Sequence, residues 1–247
     1  MSMSMNVNVD VSKKALLDRL FPAGHAVSEV GQVLCGWGQT ATGRVHVIGT
    51  TAHAAIDTRI ALALSAAVLR VVAEDGNHPR PIVFIADTQG QALSRREELL
   101  GLNGYFAHLA RCVNLARNSG HRLVTLIDGE AVSGGFLAFG LLADVIVALP
   151  GAEVRVMDLR AMARITRIPF ERLTELAGAS PVFAPGADNY WRMGGIHALW
   201  TGAEDWAAQL QALLQGSHED DRARLGAERG GRKLAASVAQ EVLYGHG

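Results

Sequence analysis

The chain has 247 residues, with 23 Lys and Arg against 24 Asp and Glu and a formal charge of -1, so it lacks the basic excess of a nucleic-acid binder. Hydrophobic residues make up 49% and charged residues 19%, which argues against disorder over most of the length and suits one large α/β domain. Its two cysteines, Cys35 and Cys112, are distant in sequence and set among apolar residues, which argues against a disulfide scaffold or a zinc cluster and fits a reducing compartment.

Residues 1–24 read as an N-terminal extension, partly disordered. Their opening MSMSMNVNVDVSKK has no apolar core of signal-peptide type, so a cytoplasmic protein is expected. The runs GQVLCG and RVHVIG, joined by the turn-rich WGQTATG, predict a hairpin within Val30 to Ile48. Gly36, Gly38 and Gly43 mimic a phosphate-cradling loop, but such a loop must enter a helix, and here a second strand follows. After Gly49 the pattern turns helical, with Asp57 or Thr58 as N-cap and Gly76 past the end. This helix is apolar almost all round, through Ile60, Leu62, Leu64, Val68, Leu69, Val71 and Val72, and is expected inside the domain or against another subunit. Its greasy run falls short of the ~18–20 residues that span a bilayer and includes Arg70, so no membrane partner is expected.

Pro81 opens a strand, IVFIAD, followed by the loop TQGQALSRREE and a helix from about Leu99 to Asn118. RLVTLID is a further strand, GEAVSGG a turn, FLAFGLLA a short helix, and VIVALP and AEVRVM two more strands. Helices follow around LRAMARITR, FERLTELAG and EDWAAQLQALLQG, before a polar or helical tail over 216–247. Short apolar strands each followed by a helix predict a mostly parallel, covered sheet, compatible with a ββα superhelix or a doubly wound fold.

The most informative stretch is Ser133-Gly134-Gly135-Phe136, between a strand and a helix. Adjacent glycines at a first helical turn let a ligand approach unpaired N–H groups at a positive dipole end, which makes an oxyanion hole. A tight turn that needs small residues for packing explains them equally. Thr88-Gln89-Gly90-Gln91 has the same placement, and if the two strands are parallel neighbours both loops emerge at one sheet edge. Gly90 or Gln91 would then supply one amide donor and Gly135 the other, while Asp87 caps its own loop.

These segments carry a family resemblance. DTQG with EELLGLNGY, and GEAVSGGFLAFGLLADVIVALPGAEVRVMD, resemble two segments of the biotin-dependent acyl-CoA carboxyltransferases, which belong to the crotonase superfamily. GWGQTATGRVHVIGT, IADTQGQALSRREELLGLN, VSGGFLAFGLLAD and VRVMDLRAMARITRI together look like the gamma subunit of malonate decarboxylase, from about Gly31 to about Gly202. The resemblance implies a crotonase-like ββα superhelix over 25–215, one carboxyltransferase half, with an active site shared with a homologous beta subunit. It implies a malonyl thioester on an acyl carrier protein whose CoA-derived, phosphopantetheine-containing arm delivers the substrate, and a larger complex with an acyl-transferase subunit. This chain would bind no cofactor directly and would not itself require biotin. Catalysis would fall to Gly134, Gly135, Gly90, Gln91 and Ser133, and substrate binding to Thr88, Gln89, Phe136 and Glu130. Proline is usual in the family at Gln89 and a small residue common at Phe136, so the pocket has its own shape here.

Three other readings compete. Ser133 before two glycines suits a Clp-like serine peptidase, but none of the nine histidines lies in a partner motif. Glu97, Glu98, Glu130 and Asp158 are carboxylates available for hydratase chemistry, and only Glu130 adjoins a loop of interest. A non-catalytic scaffolding half would use the greasy helix with Trp191, Trp200 and Trp206 as interface. Arg155, Arg160, Arg164 and Arg167 recur near helical spacing and could receive an acidic carrier. His218-Glu219-Asp220-Asp221 lacks metal-ligand spacing.

Overall fold

The computed structural model describes residues 11–157, 159–179, 184–217 and 219–245. In chain order it places α1 (Val11–Leu20), β1 (His25–Val30), β2 (Val33–Thr40), β3 (Gly43–Thr50), β4 (Ala54–Ile56), α2 (Thr58–Asp75), β5 (Ile82–Gln91), α3 (Arg95–Leu99), α4 (Leu102–Asn118) and β6 (Leu123–Val132). After these come α5 (Ser133–Leu137), a 3-10 turn (Gly140–Leu142), β7 (Val145–Ala148), β8 (Glu153–Arg155), α6 (Leu159–Thr166), α7 (Phe170–Ala179), α8 (Ala187–Arg192), β9 (Ala198–Leu199), α9 (Trp206–Leu214), α10 (Arg222–Glu228) and α11 (Ala235–Tyr244).

Among the described residues nine strands form one sheet: seven in the order β1-β2-β3-β5-β6-β7-β9, with β4 paired to β5 and β8 to β6 off that path. β1, β2 and β3 are antiparallel, and β3, β5, β6, β7 and β9 run parallel. The parallel strands are apolar on both faces because both are covered. On one face Phe84, Ala86 and Ile127 pack under α2 and α4; on the other Val83, Ile85, Val124 and Leu126 meet Leu17, Leu20 and Phe21, with Leu210 of α9. Each fully buried side chain of this size contributes about 1.5–3 kcal/mol, so the boundary expected at residue 24 does not separate α1 from the core.

The hairpin appears as β2 and β3, and Asp57 is the N-cap of α2, accepting the Ile60 N–H at 2.8 Å. A second carboxylate, buried Glu97, accepts the Thr58 N–H at 2.8 Å, so two acidic groups cover one helix start. The all-round burial expected for α2 holds for Ile60, Leu64, Val68 and Val71, whereas Leu62 and Leu69 are 51% and 37% exposed. At the strand starts, the buried Asp75 carboxylate joins His46 Nε2 (3.0 Å), the Arg80 N–H (2.9 Å) and the Arg80 guanidinium, tying the end of α2 to the sheet.

Two expected loops are strand. TQGQ belongs to β5 because β4 pairs with it, Ala55 opposite Gly90, and GEAV belongs to β6 because β8 pairs with it, Arg155 opposite Val132. The expected helix from Leu99 is divided into α3 and α4 by Gly101, whose φ is +73°. In the expected tail, Arg229 donates to the carbonyls of Trp191, Ile196 and His197, which fastens α10 to the body.

Candidate active site

β5 and β6 pair Ala86 with Ile127 and then Thr88 with Ala131, so β6 bulges at Asp128, Gly129 and Glu130. The buried Asp87 carboxylate fills that bulge. Its Oδ1 accepts the Glu130 N–H at 3.1 Å, and a Cβ on Gly129, whose φ is +117°, would strike the same oxygen. Asp87 therefore supports the neighbouring strand, not its own loop as expected.

The bulge sends β6 forward into α5. There Ser133 has φ +49°, the left-handed region that a non-glycine residue enters at a cost, and Gly134 and Gly135 follow it into the first turn. Gly135 is buried against β5: a Cβ on it would lie 2.9 Å from Gly90 Cα and 2.9 Å from Thr88 Oγ1. The two glycine segments thus converge at backbone contact, as the parallel-neighbour argument predicts.

The amide donors differ from the expected set. Gly90 donates to Thr88 Oγ1 at 3.0 Å, and that hydroxyl donates to the Ala54 carbonyl at 2.6 Å, so the Gly90 N–H is used internally. Gln91 contributes a side-chain acceptor: its Oε1 takes the Gly134 N–H at 3.2 Å. Gly135, the third residue of α5, has an N–H that the helix itself leaves without an acceptor. The remaining anion-binding capacity is therefore the Gly134–Gly135 pair, with Gln91 on the first donor.

Other expected residues fall into three groups. Gln89 is exposed at the rim, while Phe136, expected to bind substrate, is a core side chain whose ring lies against Gly140; burial takes it out of the site. Glu130 pairs with Arg155 at 3.0 Å, so that arginine, expected to receive the carrier, already has an acidic partner. Arg160 lies 5.0 Å over the Phe170 ring, and Arg164 is exposed in the last turn of α6. Asp158 lies outside the described residues, and Glu97 belongs to the start of α2. Ser133 contacts no imidazole among the described residues, so the peptidase reading lacks its base. No group that could hold a metal ion and no helix long and apolar enough to cross a membrane occurs among the described residues.

The family model for the malonate decarboxylase gamma subunit matches residues 51–245, the span that contains both glycine segments. The chain belongs to the malonate decarboxylase gamma subunit family. A malonyl-S-ACP:biotin-protein carboxyltransferase of Malonomonas rubra is 33% identical over 178 residues, 66% of this chain; the match spans 61% of that relative's length. Among solved structures, a Pseudomonas malonate decarboxylase hetero-tetramer in complex with coenzyme A has a chain matching with a TM-score of 0.79 at 24% identity, covering 93% of this chain and 97% of that one. A Pseudomonas malonate decarboxylase MdcD-MdcE hetero-dimer matches with a TM-score of 0.73 at 25% identity over the same shares. The transcarboxylase 12S fold matches with a TM-score of 0.66 at 15% identity, over 82% of this chain and 39% of that one. The crotonase-like, carboxyltransferase-type α/β fold expected from the motifs is thereby found.

Within this family fold, one cluster at the strand ends had no signal in the sequence. Asp87 is met by His53 Nδ1 at 2.8 Å and by Lys13 Nζ at 3.3 Å, and the buried Lys13 also donates to the Asp128 carbonyl at 3.0 Å and pairs with its carboxylate. His53 is 34 positions from Asp87 and Lys13 precedes every motif, so only the parallel pairing of β4 with β5 and the docking of α1 bring them together.

Proposed function

We propose that this chain acts with a homologous beta subunit to convert a malonyl thioester, carried on an acyl carrier protein, to the acetyl thioester and CO2. The supporting observation is the contact of Gly135 with Gly90, which holds the Gly134–Gly135 amides at the open end of two parallel strands. Loss of CO2 leaves an enolate on the thioester, and donors aimed at such charge contribute typically about 2.7–4 kcal/mol each. Gly135 and Gly134 would bind a carboxylate or thioester oxygen, with Gln91 swinging from Gly134 as the oxygen arrives. Thr88 fixes the β5 side, and Ser133 sets the turn instead of serving as a nucleophile.

The thioester would arrive on a CoA-derived, phosphopantetheine-containing arm. A cleft of about 530 Å³, lined by Gln32, Ala55, Asp57, Ile60, Ala92 and Glu97, runs beside β4, whose Ala55 pairs with Gly90, and falls in the size range of ligand sites. We assign the protein to the cytoplasm, in keeping with two free cysteines whose thiol pKa values burial raises. A second reading, transfer of the carboxyl group to biotin on a further protein, is favoured by the likeness to the M. rubra biotin-protein carboxyltransferase.

The test is release of CO2 from malonyl thioester on purified carrier protein by this chain alone, the beta subunit alone, and both together, with and without a biotinylated acceptor. Release by the mixture alone, without biotin, supports decarboxylation at a shared site. Acetyl thioester that forms only with the acceptor, its carboxyl group found on biotin instead of as CO2, supports transfer, and neither product from a verified complex overturns both.

A further inference from the structure

We infer that Lys13 of α1 is a positioning residue for the Gly134–Gly135 amides, acting through Asp87 and the backbone of β6. This rests on the oxyanion reading above and extends it to the N-terminal helix.

The two amides reach Gly90 only because β6 carries surplus residues. Between the pairs Ala86–Ile127 and Thr88–Ala131, Asp87 alone of β5 stands opposite Asp128, Gly129 and Glu130 of β6. Without the bulge Gly129 would meet Thr88, and the following turn would run about 6–7 Å further along β5, at about 3.3 Å per residue. Val132 and Ser133 would then leave Gly90, beside which a Cβ would lie 3.2 Å from the Val132 carbonyl oxygen and 3.4 Å from the Ser133 Cβ. Gly135 would lose its seat on the same residue. The place of both amides is thus set by whatever keeps the bulge open.

Two side chains keep it open, one at each end. Asp87 Oδ1 accepts the N–H of Glu130, the last bulge residue, at 3.1 Å, and Gly129, at φ +117°, has no Cβ to displace the carboxylate. Lys13 holds the first bulge residue: its ammonium donates to the Asp128 carbonyl at 3.0 Å and to the Asp128 carboxylate, and lies 3.3 Å from Asp87 Oδ2. Its three protons therefore face three oxygens, and one cation joins both ends of the bulge. His53, 60% exposed, meets Asp87 Oδ1 and leaves Oδ2 to Lys13.

Packing alone does not call for a lysine here. The Lys13 side chain is 6% exposed, on a helix seated by Leu16, Leu17, Leu20 and Phe21. A buried ammonium is tolerated only when paired, so an apolar residue would dock α1 at less cost. An apolar residue could not neutralise Asp87 and Asp128 while bonding a backbone carbonyl of the bulge. Donors to a developing oxyanion need that precision, since a misplacement of about 1 Å can cost about 100-fold in rate.

The test uses the complex with the beta subunit and malonyl thioester on the carrier protein. Lys13→Met keeps an unbranched stem and removes the charge; kcat for acetyl thioester formation should fall about 30–100-fold with KM within about threefold of wild type. Leu17→Ala, which loosens α1 through its fully buried core residue and leaves the bulge contacts in place, is the control. Assayed below both melting temperatures, it should keep kcat within about threefold. A parallel fall in both variants overturns the proposal, as does a Lys13→Met kcat within about threefold of wild type. If Lys13→Met does not fold, Asp128→Ala, at a side chain 30% exposed, should lower kcat about tenfold at unchanged KM, and a wild-type kcat there overturns the proposal. A wild-type complex that forms no acetyl thioester overturns the reading on which this rests. Positioning is then read from hydrogen exchange at the Glu130 amide, at least about tenfold faster in Lys13→Met than in Leu17→Ala, and equal exchange overturns it.

Discussion

Gly135 packs so closely on Gly90 that any side chain at 135 would enter the backbone of β5, with its Cβ 2.9 Å from both Cα and carbonyl carbon of Gly90. The same contact would set the proposed anion site and holds two elements together, so the proposed catalytic demand on Gly135 and its packing demand are not separable by a bulky substitution. Gly135→Ala should destabilise the chain by about 1–3 kcal/mol through overpacking and cut turnover with it, read as a lower melting temperature and reduced CO2 release. Gly134→Ala meets only the flexible end of Gln91 at 3.2 Å and the Phe106 ring edge at 3.3 Å, and should melt within a few degrees of wild type. Equal melting temperatures for the two variants would contradict the asymmetry.

Gln91 gives a probe that leaves the backbone alone. Its Oε1 already accepts the Gly134 N–H, so Gln91→Glu places a carboxylate of nearly the same shape on that donor. A charge-assisted bond there, worth about 1.5–3 kcal/mol against about 1 kcal/mol for the amide's, should exclude an anionic substrate oxygen and lower kcat/KM roughly 10-fold at unchanged melting temperature. Wild-type kcat/KM in this variant would move the substrate oxygen away from Gly134.

Much of this architecture is legible in the sequence, for physical reasons that also mark where legibility ends. IVFIAD and RLVTLID read as buried parallel strands because both faces are covered, and the glycines of SGG read as close approach because little else fits there. The strand character of TQGQ and GEAV is not local: it comes from pairing with β4 and β8, short segments without a periodic signal of their own. β1, HAVSEV, alternates half-buried and exposed positions at the sheet edge and carries too little apolar contrast to stand out. The fate of each amide depended on one rotamer or one hydroxyl, Gln91 and Thr88, and the Lys13–Asp87–His53 cluster on contacts between distant segments.

Acid should loosen the opposite end of the sheet in two stages. Burial alone would raise the Asp75 pKa, but the Arg80 guanidinium and N–H, with His46, outweigh it and hold the group at about 2. A folded value below the ordinary 3.8 means that the unfolded chain takes the proton first, so the stabilisation is complete above about pH 4 and is lost as pH falls toward 2, some ~2 kcal/mol in all. Burial lowers His46 and His197 below the ordinary 6.5, so they begin to cost stability at milder acidity, as pH drops under that value. Asp75→Asn should melt lower than wild type at pH 7 and converge with it near pH 2. A constant gap between the two melting curves across that range would contradict the linkage.

The proposed acyl carrier is the partner for which the surface gives a direct electrostatic test. α6 follows β8, whose Arg155 lies opposite Val132 beside the glycine turn, and its exposed Arg164 has no acidic partner among the described residues, whereas Arg155 is taken by Glu130. An acidic carrier docking there would be steered by Arg164 and its neighbour Arg160. Arg164→Glu should raise KM for carrier-borne malonyl thioester about tenfold at low salt, with the effect shrinking as ionic strength rises. The same variant should turn over a malonyl thioester of free pantetheine at the wild-type rate, since the glycine amides are untouched. Loss of activity on both substrates would place Arg164 in the fold or the subunit interface, and an unchanged KM on both would remove α6 from the docking surface.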